Sequence, residues 1–140
     1  MILNKLIDVK SSKQKLDERN WKFAKYFVDV LERFCNYKLA TKILYETTEI
    51  QTKVLGVDHI EVSYSYNDLG SLLLKNGEYE NAKHFNERAM KIQTKTFGPH
   101  HVNVATTYNN LGFVYKDMGE YEKAKDFLER AMKIDRKAHV

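Results

Sequence analysis

The sequence predicts an all-α protein built from three copies of a helix-turn-helix repeat. The chain matches itself at an offset of 42 residues, and apolar residues recur at helical spacing within each copy. In addition, its 140 residues include only one Pro and six Gly. Such a scarcity of turn residues favours long helices over an all-β fold with many tight turns.

The repeat is clearest between the second and third copies, which share several runs of residues. These runs pair Gln51-Thr52-Lys53 with Gln93-Thr94-Lys95, Gly77-Glu78-Tyr79-Glu80 with Gly119-Glu120-Tyr121-Glu122, and residues 87–92 with 129–134. The same offset applied backwards finds a weaker first copy, where Phe27 takes the place of Leu69 and Cys35 that of Gly77. Drift of this kind is expected of a terminal repeat.

Each copy has the pattern of two paired helices. The apolar positions of the second copy are Tyr66, Leu69 and Leu73, followed by Ala82, Phe85, Ala89 and Ile92. Gly77 and Gly119 stand where the first helix of a pair must stop, because glycine adopts positive φ without steric cost. We expect repeats at about 21–54, 63–96 and 105–138 in a repeat domain spanning 19–140, with 1–18 as an N-terminal capping or irregular segment.

These residues resemble a known repeat family. The spacing from Tyr66 to Ala89, repeated from Tyr108 to Ala131, is similar to that of the tetratricopeptide repeat (TPR). The 42-residue period and the Tyr-Asn-Asn-Leu-Gly run from Tyr108 resemble the kinesin-light-chain and nephrocystin type more narrowly. The resemblance covers about residues 20–137. It implies a right-handed α-α superhelix that acts as a non-catalytic scaffold or adaptor for protein–protein interaction.

Stacked helix pairs curve into a superhelix, and we expect a linear peptide or a partner helix to bind its concave groove. Helical spacing places one set of residues on the side of the first helices opposite the core. The predicted groove residues are Lys25 in the first repeat, Tyr64, Asn67, Ser71, Leu74 and Lys75 in the second, and Thr106, Asn109, Phe113 and Lys116 in the third.

The resemblance implies that Asn67 and Asn109 hydrogen-bond the backbone of a bound peptide, for which an amide can both donate and accept. Lys25 holds the equivalent place in the first repeat. The alternative is that both amides are solvated or hydrogen-bond a neighbouring helix. The charged residues predicted along the groove are five basic and three acidic ones: Lys22, Lys25, Arg33, Lys75 and Lys116 against Asp29, Glu32 and Asp117. This positive balance favours ligands with acidic residues beside an aromatic residue or Leu.

The sequence shows no motif that points to catalysis, a cofactor or a metal site. It has no Gly-rich phosphate loop, no paired cysteines and no nucleophile with a recognisable base, so we expect a protein that is not an enzyme. His59 and His101 recur at the repeat offset but lack a second ligand pair of the kind that zinc requires. We expect them to stabilise their loops or cap the next helix.

The charge pattern bears on partners and location. The 23 basic and 19 acidic residues are interleaved, which makes nucleic acid an unlikely partner despite a net charge of +4. No apolar stretch is long enough to span a bilayer, and a lone cysteine suits a reducing compartment, so a cytoplasmic protein is expected.

A second hypothesis is a self-associating structural module, or a fragment of a larger TPR signalling or transport protein. In that case Ala124, Phe127 and Ala131 of an uncapped last repeat would lie partly without a neighbour and favour a homo-oligomer.

Overall fold

The computed structural model describes residues 18–138, with side chains described from residue 23 onward. Six helices make up this part of the chain: α1 (Glu18–Arg33), α2 (Tyr37–Leu55), α3 (Ile60–Lys75), α4 (Tyr79–Phe97), α5 (Val102–Asp117) and α6 (Tyr121–Ala138). The predicted N-terminal capping segment lies outside the described residues apart from Glu18. None of the six helices is long and apolar enough to cross a membrane.

The helices pack in the order in which they follow one another along the chain. The most extensive packing joins α3 to α4 and α5 to α6, the two helices of the second and third repeats. Each remaining helix packs on its neighbour in sequence, so that three helix pairs stack side by side. The predicted all-α fold of three helix-turn-helix repeats is thereby confirmed.

A residue in the left-handed conformation ends the first helix of every pair. Gly77 and Gly119 have φ of 79° and 81°, as the sequence predicts. Beyond them, the Glu78 and Glu120 amides donate to carbonyls one turn back, at 2.9 and 2.8 Å. Cys35 holds this position in the first repeat with φ of 57° and is exposed. A residue with a side chain is strained at positive φ, whereas glycine is not. The first repeat therefore ends its first helix in the same conformation as the other two, but with some backbone strain at Cys35.

His59 and His101 cap the first helices of the second and third repeats. The Nδ1 atom of each imidazole accepts a hydrogen bond from a backbone amide two residues on, Glu61 N and Asn103 N, both at 3.1 Å. Phe97 stacks on the His101 ring with centroids 4.5 Å apart. The expectation that these histidines cap the next helix is confirmed.

Small residues bring the two helices of a pair close together. Ala82, Ala89 and Ala131 are completely buried. At Gly112, a β-carbon would lie only 2.6 Å from the Leu128 side chain. Glycine is therefore required at this crossing unless Leu128 moves.

One expectation about the last repeat is wrong. Ala124 and Ala131 are buried, 4% and 0% exposed, because they face α5 of their own repeat rather than the outer side of α6. Phe127 is half-buried and packs against the rings of Tyr108 and Tyr115. These three residues do not form an uncovered face.

Candidate functional site

A polar recess of about 250 Å³ separates the first helices of repeats one and two. Val28 and Leu44 supply its apolar lining. All its other lining residues are polar or charged: Lys25, Asp29 and Glu32 from α1, and Asp68, Ser71 and Lys75 from α3. The recess lies on the side of the stack where the sequence places a binding groove.

The structure brings Lys25, Ser71 and Lys75 together in this recess. The Lys75 ammonium lies 3.4 Å from a Glu32 carboxylate oxygen and 5.5 Å from the centre of the Tyr37 ring. These two contacts hold the lysine across the recess. They link α3 to both helices of the first repeat.

The predicted groove residues of α5 form a separate group. Phe113 is 47% exposed, and the Lys116 ammonium lies 5.8 Å from its ring centre. Thr106 is exposed and Asn109 is half-buried on the same helix. The exposed phenyl ring and the half-buried amide lie on one helix and can contact a partner without a change of fold.

Tyr64 and Leu74 are both half-buried. The Tyr64 hydroxyl accepts a hydrogen bond from the Asn103 amide at 3.4 Å, which ties it to the start of α5. Leu74 packs against a cluster that contains Leu73 and Ala82. Neither residue is among those that line the recess.

Asn67 belongs to a buried network between repeats two and three. It is 7% exposed, and its Nδ2 donates to Thr107 Oγ1 at 2.6 Å. Thr107 in turn donates to Gln93 Oε1 at 2.6 Å. A hydrogen bond to a neighbouring helix was one of the two alternatives for this amide, and peptide binding by Asn67 stays a prediction.

Asp68 lines the recess but was missing from the sequence-based set. Residues 64, 68, 71 and 75 follow one stripe of a helix at spacings of four, three and four. Because three of them were already predicted groove residues, this spacing alone could have identified Asp68. The repeated amide of Asn67 and Asn109 points instead to the position one residue to the side.

Asp68 changes the charge of the recess. Three carboxylates, from Asp29, Glu32 and Asp68, face the ammonium groups of Lys25 and Lys75. The positive balance expected for the groove as a whole therefore does not hold within the recess. A cationic group of a ligand is favoured there.

The recess also changes the acidity of Asp68. Burial raises the pKa of its carboxyl from 3.8 to about 6, and the charges of Asp29 and Glu32 add to the rise while Lys25 opposes it. Asp68 is nevertheless exposed at the edge of the recess, so contact with solvent limits this rise in pKa.

We expect the folded chain to lose stability as the pH rises from about 4 to about 6, through the contribution of Asp68. The raised pKa means that the folded state holds this proton more tightly than the unfolded state, an advantage that disappears once the folded carboxyl ionises. Solvent screening reduces the effect to about 1 kcal/mol. Urea unfolding across this pH range should show Asp68→Asn gaining stability over the parent at pH 7 and matching it near pH 4. A constant difference between the two proteins would contradict the assignment.

Three stacked helix pairs with a recess between their first helices define an α-helical repeat protein. The family model for the tetratricopeptide repeat matches residues 27–95 and 61–137. The chain therefore belongs to the tetratricopeptide-repeat family. No curated protein matches the sequence.

Solved structures share the fold. BtubC (BKLC) from P. vanneervenii superposes with a TM-score of 0.83 at 21% identity, covering 99% of this chain and 55% of that one. A Podosopora anserina protein assigned as a kinesin light chain, with nearly identical TPR-like repeats, gives a TM-score of 0.81 at 19% identity, covering 99% of this chain and 65% of that one. The chain thus spans a little over half to two thirds of the length of these solved chains.

The TPR fold is generally non-catalytic. Among the side chains of residues 23–138, no cluster of His, Cys, Asp and Glu has an arrangement that could hold a metal ion.

Proposed function

We propose that the chain is an interaction module that binds a linear segment, or a helix, of a partner protein along its first helices α1, α3 and α5. The observation that carries this proposal is the polar recess between α1 and α3. It combines open space with charged groups from two repeats, so that a ligand can contact both at once. TPR domains typically mediate protein–protein interactions, and the exposed residues of α5 extend the same side of the stack.

The chemistry of the groove restricts the ligand. The excess of carboxylates around Asp68 favours a lysine or arginine of the ligand over the acidic residue that the positive balance of the predicted groove residues suggests. Phe113 offers an apolar surface for an aromatic residue or Leu at the other end. The half-buried Asn109 supports backbone hydrogen bonding in the third repeat. We further propose a cytoplasmic protein with no cofactor and no nucleic-acid ligand.

We expect peptides selected from a random library on the full 140-residue chain to lose affinity when Asn109 is changed to Ala. One lost hydrogen bond costs on the order of 1 kcal/mol, or about fivefold in Kd. Fluorescence anisotropy with the selected peptides measures the change. The matched control is Lys91→Ala with Lys133→Ala, two exposed lysines of the second helices. If the lysine pair weakens binding and Asn109→Ala does not, the ligand lies on the other side of the stack.

Self-association is the second candidate function, and one residue favours it. Met90 on α4 packs against Val104 and Tyr108 of the following repeat. Met132 is its equivalent on α6 and is 50% exposed. If copies of the chain associate through this side of α6, Met132→Lys should convert dimers to monomers in sedimentation at the same concentration. A parent chain that is monomeric at high concentration would exclude this candidate.

A further inference from the structure

A second and larger recess lies between the second helices α2 and α4, away from the groove of the first helices. Its volume is about 590 Å³, which falls in the range typical of ligand-binding clefts. Its lining is mixed, with aromatic and aliphatic groups from Tyr45, Phe85 and Leu73 and cationic groups from Lys38, Lys42 and Arg88. Nothing in the proposed groove uses these residues.

The next repeat shows what the equivalent space holds. There, between α4 and α6, the Tyr115 ring is 5% exposed and lies parallel to the Phe127 ring, with an interplanar angle of 3° and centroids 5.6 Å apart. Its hydroxyl donates to Glu87 Oε1 at 2.9 Å. The ammonium groups of Lys83 and Lys123 lie 5.7 and 5.5 Å from the ring centre. A tyrosine side chain thus fills the seam between two second helices.

The repeat offset of 42 residues relates the two sites directly. Tyr115 corresponds to Leu73, and its neighbours Phe127, Glu87, Lys83 and Lys123 correspond to Phe85, Tyr45, Thr41 and Asn81. All five of the corresponding residues line the larger recess. The recess therefore surrounds the place where the Tyr115 ring lies one repeat further on. It is open because Leu73 has no ring to fill it.

We propose that this recess binds an aromatic side chain, a tyrosine in particular, presented by a segment of a partner protein. Phe85 corresponds to Phe127, on which Tyr115 stacks in the next repeat. The Tyr45 ring packs edge-on against Phe85 with centroids 6.0 Å apart, so an incoming ring would join an existing aromatic wall. The carboxylates of Glu46 and Glu78 line the recess and can accept a hydrogen bond from a phenol hydroxyl.

The charge of the lining selects the residues that flank this tyrosine. Lys38, Lys42 and Arg88 outnumber the two glutamates, so acidic neighbours of the tyrosine complement the rim. The occupant is thus a tyrosine in an acidic segment. It would bind on the opposite side of the stack from a ligand of the first helices.

The experiment titrates p-cresol, the analogue of a tyrosine side chain, into the full chain labelled with ¹⁵N. Saturable shifts of amides at Tyr45, Leu73 and Phe85 are the expected result. Leu73→Tyr should weaken this binding at least tenfold, because the new ring takes the place that Tyr115 takes in the next repeat. Lys133→Tyr is the matched control, since it adds the same side chain at an exposed position of α6 that does not line the recess and should leave the titration unchanged.

The reciprocal variant tests the same inference without filling the recess. Tyr115→Leu should create a second p-cresol site, with shifts at Glu87 and Phe127. Asn81→Trp, at an exposed rim position, should block the original site even if Leu73→Tyr folds poorly. The inference is overturned if p-cresol causes no saturable shifts at the recess, or if it binds the Asn81→Trp and parent chains alike. Neither result would affect peptide binding by α1, α3 and α5, which the Asn109 variant tests separately.

Discussion

Replacing Ala89 with Leu should lower the free energy of unfolding by about 1 to 3 kcal/mol. Ala89 is completely buried in the core where α3 meets α4, in a cluster with Val62, Tyr66 and Ile92. Three added carbon atoms have no space there, so the helices must separate or side chains must leave their preferred rotamers. Urea unfolding followed by circular dichroism measures the loss.

Ala131→Leu should behave in the same way, because Ala131 is the equivalent residue between α5 and α6 and is also fully buried. Lys91→Leu is the control, since it places the same side chain on the exposed face of α4. If Ala89→Leu and Ala131→Leu are both as stable as the parent, the helices do not meet at these residues.

Replacing Asn86 with Leu should raise the free energy of unfolding by about 1 to 2 kcal/mol. Asn86 is completely buried against Gly70, and neither atom of its amide has a hydrogen-bond partner among the described residues. An unpaired buried amide costs about 1 to 3 kcal/mol, a cost that Leu avoids because it has the same branched shape without polar atoms. Thermal and urea unfolding both report the change.

The third repeat supports this expectation, because Leu128 holds the position equivalent to Asn86 and packs over Gly112 in the same way. Leu128→Asn is therefore the reciprocal variant and should destabilise the chain. A loss of stability in Asn86→Leu would show that the amide has a partner in solution and is retained for that contact.

The sequence predicts the helix pairs and their ends because these depend on local chemistry that recurs at a fixed offset. Positive φ at Gly77 and Gly119 and the capping imidazoles of His59 and His101 are properties of single turns, and a repeat displays each of them twice. The positive φ of Cys35 likewise agrees with its alignment with Gly77.

The candidate site was predicted less completely because it depends on contacts between repeats. Asn67 has the helical position of a groove residue. Its amide, however, donates a hydrogen bond to Thr107, 40 residues away in the next repeat. Leu73 and Tyr115 are equivalent positions, and both fit the apolar pattern of a helix core. The difference between Leu and Tyr becomes informative only when the neighbouring rings and charges of the two repeats are compared.

The central claim is that ligands bind along the first helices, and chemical-shift mapping tests it most directly. A peptide selected on the full chain is titrated into ¹⁵N-labelled protein, and the amides that shift are assigned. We predict that the largest shifts fall at Ser71, Asn109 and Phe113, on α3 and α5. Shifts confined to α2, α4 and α6, around Lys91 and Lys133, would contradict the account.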